Sequence, residues 1–179
     1  LYIHSKQLVA LEKKDLISLY YDMELPLAKV LYSMEKTGFF VDGSVLRQLG
    51  NEFSARINEL TKEIYSLAGK EFNINSPVQL SDVLFTDLGL PAQKKTKRGY
   101  STDNDVLEGL EHPIIKPIIQ YRQHQKLKST YVDGMFSLVS PKDNRIHSTF
   151  KQAVTATGRI SSIEPNLQNI PVRYEEGRQ

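Results

Sequence analysis

A long run of regularly spaced apolar residues most constrains how this chain can fold. Between residues 46 and 67, apolar side chains recur at intervals of three or four positions: Leu46, Leu49, Phe53, Ile57, Leu60, Ile64 and Leu67. This spacing places them all on one face of an α-helix. The opposite face carries charges of both signs, which is typical of solvated surface. The pattern predicts one helix that ends at Gly69 and packs against a partner, such as an antiparallel helix.

The remaining patterns predict shorter helices followed by extended chain. A helix is expected from Leu25 to Gly38, with Asp22 and Glu24 just before it, where they would offset the helix dipole. Ser76 with Pro77 and Gln79 resembles a capping box, and Thr102 with Asp105 opens another helix. A long helix begins at Pro113 and places Arg122, Lys126, Ser129 and Asp133 on one polar stripe. Beyond Pro141, alternating polarity predicts strands. The predicted class is mainly α with a small β portion (α+β), divided near residue 140.

Charge is strongly polarised along the chain although the net charge is only +2. Residues 88–102, 113–132 and 144–163 contain eleven Lys and Arg residues and no Asp or Glu. The remainder is therefore acidic. Such segregation makes a polyanion the first partner to consider.

Several classes of function are excluded or unsupported. The chain has no cysteine, which excludes disulfide scaffolds, thiol catalysis and Cys-based zinc sites and fits a reducing cytosol. No apolar run reaches the roughly 18 residues of a membrane span, and the histidines lack metal-ligand spacing. No P-loop, Ser-His-Asp set or dinucleotide fingerprint is present. No complete active site is visible, and the termini, Leu1 and Gln179, suggest a fragment of a longer chain.

Two basic segments are candidates for phosphate binding. Lys94, Lys95, Lys97 and Arg98 lie in a predicted loop together with the hydroxyl groups of Thr96, Ser101 and Thr102. Cations attract phosphate, and hydroxyl groups donate hydrogen bonds to its oxygens. Arg122 and Lys126 lie one helical turn apart and could straddle a phosphate backbone. The alternatives are a merely solvated basic loop and an ordinary helix surface.

Two polar segments near the C-terminus are the most distinctive. In Thr155-Ala-Thr-Gly-Arg-Ile-Ser-Ser162, Arg159 follows a Thr-Gly bend that could direct it into a groove. In Pro165-Asn-Leu-Gln-Asn-Ile-Pro171, the amides of Asn166, Gln168 and Asn169 can both donate and accept hydrogen bonds. Composition alone would also allow an ordinary polar loop.

Together these two segments closely resemble the early palm of bacterial family A DNA polymerases. Upstream segments agree with the same family: Met23-Glu-Leu-Pro-Leu-Ala28, Met34-Glu-Lys-Thr-Gly38, Asn73-Ile-Asn-Ser-Pro77, Lys95-Thr-Lys97, Gly99-Tyr-Ser-Thr102, Tyr121-Arg122 and Lys126-Leu-Lys-Ser-Thr-Tyr131. The resemblance covers about residues 22–179 in order. Lys151 stands where the family often has Asn, and Ile163 where Thr is common.

The resemblance implies a domain organisation. Residues 1–21 would be the tail of an exonuclease-like domain. Residues 22–140 would form a mostly helical thumb of two long antiparallel helices with a helical tip. Residues 141–179 would form the first, β-rich and irregular part of the palm.

The resemblance also implies which residues bind DNA. The tip, with Lys94, Lys95, Lys97, Arg98 and Ser101, would grip the duplex backbone. Arg122 and Lys126 would lie near the template–primer backbone, and Arg159 would reach the minor groove at the primer terminus. Asn166, Gln168 and Asn169 would touch the duplex near that terminus. Minor-groove acceptors occur at every base pair, so such contacts suit an enzyme that copies any template.

The implied function is duplex primer–template binding within a DNA-directed DNA polymerase, a nucleotidyltransferase of replication and repair in the bacterial cytoplasm and nucleoid. In this family the metal-binding aspartates and the nucleotide-binding fingers helix follow the segment matched here. We therefore expect no catalytic residue, metal or cofactor in this chain and no nucleotide addition by it. Mg²⁺ and deoxynucleoside triphosphates would belong to the whole enzyme, and no membrane is expected. The alternatives are a helical adaptor that binds RNA or an acidic protein, and a stand-alone nuclease.

Overall fold

Helices form most of the computed structural model, which describes residues 2–92, 95–96 and 99–170. The helices are α1 (Tyr2–Glu12), α2 (Leu25–Thr37), α3 (Gly43–Ala68), α4 (Pro77–Ser81), α5 (Asn104–Glu108), α6 (Ile115–Lys126) and α7 (Gly134–Phe136). The strands are β1 (Phe39–Phe40), β2 (Lys95–Thr96), β3 (Gly99–Tyr100), β4 (Arg145–Ile146), β5 (Thr149–Lys151) and β6 (Ser161–Ile163). The predicted class, mainly α with a small β portion, is confirmed.

The chain divides into two compact units. A central unit comprises Ser44–Gly134, and a terminal unit combines Leu1–Gly43 with Met135–Gln179. These units are defined by packing alone. The predicted functional boundaries after residues 21 and 140 stay predictions.

The long helix predicted from the apolar stripe is confirmed as α3. Its buried residues Phe53, Leu60 and Ile64 all belong to the stripe. Gly69 follows with a φ of +70°, a conformation that glycine adopts without strain and that ends the helix.

The partner of α3 is α6, and the two helices run antiparallel. Arg56 bonds to Gln120 at 3.3 Å, and the Phe53 ring lies 5.9 Å from that of His124. From the first contact to the second, the residue number falls in α3 and rises in α6, so the two helices point in opposite directions. The core beside this pair is aliphatic and almost fully excluded from solvent. It contains Leu60, Ile64, Leu80, Leu84, Leu107, Ile114 and Ile118.

A π-helical segment, Leu127–Asp133, continues α6. Its hydrogen bonds span five residues rather than four, which widens the turn. The Lys128 ammonium therefore reaches the carboxylate of Asp133, five positions later, at 2.8 Å. The α-helical spacing that predicted a polar stripe from Arg122 to Asp133 does not hold beyond Lys126.

The capping signal at Ser76 is confirmed in part. Its hydroxyl oxygen accepts a bond from the Gln79 backbone N–H at 3.4 Å, and Pro77 occupies the first turn of α4. The reciprocal bond predicted for Gln79 is wrong, because its side-chain oxygen accepts from the backbone N–H of Asn73 at 2.7 Å. A second π-helical segment, Asp82–Asp87, extends α4.

The basic segment predicted as a loop contains an antiparallel pair of strands. Lys95 of β2 faces Tyr100 of β3, and Thr96 faces Gly99. Helix α5 then begins at Asn104, so the helix predicted from Thr102 is confirmed with a start two residues later.

The terminal unit pairs β1 with β4 and β5 with β6, both antiparallel. The alternation predicted beyond Pro141 is confirmed around β4 and β5, since Ile146 and Ser148 are buried while His147 and Lys151 are exposed. In the described residues, no helix is both long and apolar enough to cross a membrane.

Asp22 and Glu24 precede α2, which begins at Leu25 as predicted, but Glu24 makes no side-chain capping bond. Both lie inside a π-helical segment, Leu19–Glu24, that leads directly into α2. The Glu24 carboxylate and carbonyl oxygens accept bonds from the Gln152 side chain. Glu35 of α2 similarly accepts from the Phe150 N–H of β5 at 2.6 Å. These acidic side chains therefore hold β5 against the helix rather than capping its end.

Candidate nucleic-acid interface

The residues predicted to bind DNA fall into two groups, one in each compact unit. The central unit contains Lys95, Ser101, Arg122 and Lys126, and the terminal unit contains Arg159, Asn166, Gln168 and Asn169. The predicted contacts Lys94, Lys97 and Arg98 lie outside the described residues.

The β2–β3 pair that carries Lys95 is fixed on α4. The Tyr100 N–H donates to the hydroxyl of buried Ser81 at 3.1 Å, and the Tyr100 ring meets that of Phe85 edge-on at 5.4 Å. Gly99 has a φ of +123°, and a Cβ there would lie 3.3 Å from the Ser81 Oγ. Lys95 is exposed. The exposed side chain of Lys95 therefore lies on a pair of strands that is held in place through Tyr100.

Ser101 is buried rather than displayed, with 4% of its surface exposed. Its hydroxyl donates to the Asp103 carboxylate at 2.8 Å and accepts from the Asp103 N–H at 3.2 Å. In this conformation the Ser101 hydroxyl orders the start of α5, and its predicted DNA contact stays a prediction.

Arg122 is half-buried and directed toward the same turn. Its guanidinium donates to the Thr102 carbonyl oxygen and, at 3.1 Å, to the Thr102 hydroxyl oxygen. Burial lowers the pKa of Arg122 below its ordinary value, and the nearby Asp103 carboxylate opposes that effect. Arginine stays protonated in proteins, so the group keeps its charge and further N–H groups remain for another acceptor.

Lys126 at the end of α6 is exposed. Like Lys95 and Lys116, it makes no ion pair with any carboxylate in the part of the chain that the structure describes. Lys128, by contrast, is paired with Asp133. Among the described residues, α6 and the π-helical segment that continues it thus combine one inward arginine, one paired lysine and two unpaired lysines.

The bend predicted before Arg159 is confirmed. Gly158 has a φ of +74°, and its N–H donates to the Thr155 carbonyl at 3.3 Å. The Thr155 hydroxyl donates to the Arg159 carbonyl at 2.5 Å. The Arg159 side chain is exposed and forms no ion pair among the described residues.

Of the three predicted amide residues, Asn166 caps a short 3₁₀ helix, Leu167–Asn169, and Gln168 and Asn169 lie within that helix. The Asn166 side-chain oxygen accepts from the Gln168 N–H at 3.1 Å, and the Gln168 side-chain amide donates to the Ile160 carbonyl at 2.7 Å. Asn166, Gln168 and Asn169 are exposed. The structure thus joins the amide segment to the residue that follows Arg159.

Sequence reasoning missed Ser81 and Asp103, which order the basic segment. Ser81 bonds to Tyr100 across 19 positions, and no local pattern predicts such a contact. Asp103 follows Thr102, the predicted start of a helix. Its sequence position directly after two hydroxyl residues was the one available signal.

Among the described residues, no group of three or more His, Asp or Glu side chains is placed to hold a metal ion.

Comparison with known proteins gives concordant matches. Residues 43–179 match the sequence model of DNA polymerase family A. The chain is 48% identical over 178 residues to DNA polymerase I of Bacillus subtilis (strain 168), covering 98% of this chain and 20% of that protein. It is 54% identical over 159 residues to DNA polymerase I of Geobacillus stearothermophilus, covering 88% of this chain and 18% of that protein.

A solved structure matches the fold. It is the POL domain of Pol1 from M. smegmatis in complex with DNA primer–template and dNTP, with a TM-score of 0.85 and 46% sequence identity. The match covers 94% of this chain and 30% of that one. The chain thus spans about a fifth of the length of the curated relatives that it matches.

Proposed function

This chain belongs to DNA polymerase family A, and from that premise we propose that it is a primer–template-binding part of a bacterial DNA-directed DNA polymerase. In this proposal residues 22–140 serve as the thumb and residues 141–179 begin the palm. Residues 1–21 are the tail of an exonuclease-like domain.

The observation that carries the proposal is the match to Pol1 of M. smegmatis. That domain was solved with DNA primer–template and dNTP, and almost the whole of this chain aligns with it. Similarity at this level of identity and fold supports a shared ligand, here duplex primer–template.

The distribution of unpaired cations supports the same ligand. Lys95, Lys126 and Arg159 are exposed, and none forms an ion pair within the described part of the chain. They can therefore meet phosphate or groove acceptors without first breaking an internal ion pair. Phosphate contacts carry no base information, which suits binding without sequence preference.

The amide segment supports a role at the duplex as well. Asn166, Gln168 and Asn169 are exposed next to Arg159, and amides can donate to the minor-groove acceptors that every base pair presents. Ser101 and Arg122 are turned inward, so we assign them first to ordering the basic segment and second to DNA contact.

The chemistry of the whole enzyme rests on family membership alone. We propose that the complete polymerase acts in replication and repair in the bacterial cytoplasm, where it takes up deoxynucleoside triphosphates. Mg²⁺, when bound there, supplies charge stabilisation for phosphoryl transfer.

A salt titration of duplex binding tests the proposal. The purified chain is mixed with a fluorescent primer–template duplex, and anisotropy gives the affinity between about 50 and 200 mM salt. The logarithm of the association constant should fall linearly with the logarithm of salt, by about 0.9 per phosphate neutralised. Duplexes of unrelated sequence should bind equally well.

The same assay separates the alternatives. A helical adaptor for RNA or an acidic protein predicts that charge reversal at Lys94, Lys95 and Arg98 leaves duplex affinity unchanged. A nuclease predicts metal-dependent cleavage of the duplex during incubation. Either result, or no binding at low salt, contradicts the proposed function.

A further inference from the structure

Two serine hydroxyl groups are buried beneath the segment that carries Arg159 and the amide residues. Ser148 and Ser162 each expose 1% of their surface, which is unusual for side chains that favour water. A buried hydroxyl without a partner is costly, so the partners of these two show what they hold in place.

Ser148 lies just before β5 and bonds to the last residue of the paired strand β6 and to the chain just beyond it. Its hydroxyl is directed at the carbonyl oxygens of Ile163, at 3.1 Å, and Pro165, at 2.8 Å. A hydroxyl has a single hydrogen, which these two acceptors share. The bond thus fixes the position at which the chain leaves β6 and enters the amide segment.

Ser162 holds the same segment from within β6. Its hydroxyl oxygen accepts from the Leu167 N–H at 3.1 Å, and its hydrogen is directed at the Asn166 side-chain oxygen at 3.4 Å. That oxygen in turn accepts from the Gln168 N–H. The side chain of Gln168 then donates to the Ile160 carbonyl. The hydrogen bonds form a closed path from β6 through the amide segment and back to the residue after Arg159.

The backbone carbonyl groups of Arg159 and of the next residue are consequently held by hydrogen bonds, while the Arg159 side chain stays exposed. Thr155 binds the Arg159 carbonyl, and Gln168 binds the carbonyl of Ile160. A long cationic side chain on a fixed backbone loses less conformational freedom on binding than one on a mobile loop.

We propose that Ser148 and Ser162 are positioning residues that set the direction from which Arg159 meets the duplex. The inference rests on the proposed function, since it requires that this segment bind DNA. Neither serine touches the ligand in this proposal, and each acts through the segment above it.

The first measurement needs no DNA. Hydrogen exchange of the Leu167 and Gln168 amides is compared in the wild-type chain, Ser148→Ala, Ser162→Ala and the control Ser54→Ala. The Ser54 hydroxyl donates to the Gly50 carbonyl of its own helix at 2.7 Å. Exchange at these amides should rise about tenfold in the two test variants and stay unchanged in the control. Unchanged exchange in both test variants overturns the proposal.

The second measurement is a double-mutant cycle on duplex affinity with Arg159→Ala. Ser148→Ala and Ser162→Ala should each weaken binding about three- to tenfold. In the Arg159→Ala background each should weaken binding less than it does in the wild type, because part of their effect passes through that side chain. Full additivity overturns the inference and leaves the proposed function intact, whereas a wild-type chain that binds no duplex overturns both.

A second substitution at Ser148 keeps the proposal testable if Ser148→Ala does not fold. Ser148→Cys keeps nearly the same volume but offers only a weak donor, so it replaces Ser148→Ala if that variant is unfolded. Wild-type affinity and wild-type exchange in Ser148→Cys would contradict the role assigned to this hydrogen bond.

Discussion

The guanidinium of Arg122 forms a two-point contact with Thr102, whose carbonyl and hydroxyl oxygens both accept from it. The contact joins the middle of α6 to the turn between β3 and α5, 20 positions earlier in the chain. Thr102 is buried, with 6% of its surface exposed, so its oxygens depend on protein partners rather than on water. Arg122 therefore supports the basic segment mechanically, whether or not it also meets phosphate.

Replacing Arg122 should destabilise the chain. Arg122→Ala leaves a buried carbonyl and a buried hydroxyl without their donor, which we expect to lower the free energy of unfolding by about 1–3 kcal/mol. Arg122→Lys should lie between Arg122→Ala and the wild type, because an ammonium lacks the planar fork that meets both oxygens at once. Chemical denaturation measures the difference.

Lys126→Ala is the matched control, since it removes an exposed cation from the same helix. Its effect on the free energy of unfolding should stay within about 0.5 kcal/mol. Equal effects of Arg122→Ala and Lys126→Ala would contradict the supporting role of Arg122.

Removing an exposed, unpaired lysine should alter the salt dependence of duplex binding. Lys95→Ala and Lys126→Ala should each make the log–log salt slope shallower by about 1 and weaken duplexes of all sequences alike. Lys62→Ala is the control, because Lys62 is exposed on α3 between Glu59 and Glu63 in the sequence and lies outside the acid-free segments. An equal change of slope in all three variants would argue against a localised interface.

Gly38 should tolerate no side chain. Its φ is +67°, and a Cβ would lie 2.9 Å from the His147 ring and 3.0 Å from the Ile146 carbonyl. Gly69 has a similar φ of +70° with nothing within 4 Å of the added atom. We expect Gly69→Ala to cost about 1–2 kcal/mol of unfolding free energy from backbone strain alone.

Gly38→Ala should cost more than Gly69→Ala, because the steric contact with the backbone of β4 adds to the same strain. Denaturant unfolding of the two variants under identical conditions measures the difference. A smaller loss for Gly38→Ala would show that the β1–β4 pair can shift to accept the methyl group.

His147 should be protonated at a higher pH than an ordinary histidine. Its Nδ1 lies 2.8 Å from the Glu35 carbonyl oxygen and its Nε2 lies 3.0 Å from the Asp143 carboxylate. Both nitrogens face acceptors, which favours the imidazolium. The Glu35 bond, followed by the Asp143 bond, raises the pKa of His147, while Arg145 opposes the rise. The Ser140 hydroxyl, followed by His147, lowers the pKa of Asp143.

The pH dependence follows from these directions. Stability from His147 is fully present below its unfolded pKa of about 6.5 and is lost as the pH rises through the higher folded pKa. Stability from Asp143 is present above its unfolded pKa of about 3.9 and is lost as the pH falls through the lower folded pKa. An NMR titration should place the midpoint of His147 above 6.5, and Asp143→Asn should lower that midpoint. An unshifted midpoint in both proteins contradicts the assignment.

Much of the fold could be predicted because its signals are local. The stripe from Leu46 to Leu67, the Pro77 helix start and the alternation around Ile146 depend on residues that are close in the sequence. Helix periodicity and capping act over a few positions, so a short stretch of sequence suffices to recognise them. Motifs such as Thr155–Ser162 likewise indicate the polymerase family from the sequence alone.

The departures from the sequence predictions arise where another element competes with a local preference. Asp22 and Glu24 matched a helix start, but Gln152 reaches back to Glu24 and the helical stretch runs through both. The basic segment is predicted as a loop, but it contains the paired strands β2 and β3. Contacts of Tyr100 with Ser81 and Phe85 hold this pair in place. Neither contact is visible to a method that reads only neighbouring residues.

By itself, the sequence determined where most helices lie, which face of each is apolar and to which family the chain belongs. The tertiary structure alone decided which polar side chains turn inward, as Arg122 and Ser148 do, and which remain exposed, as Lys95 and Arg159 do. The reason is physical. The apolar face of a helix or strand is determined by the spacing of apolar residues within that one element. The partner of a hydrogen-bonding group is determined by another element, the one that packs against it.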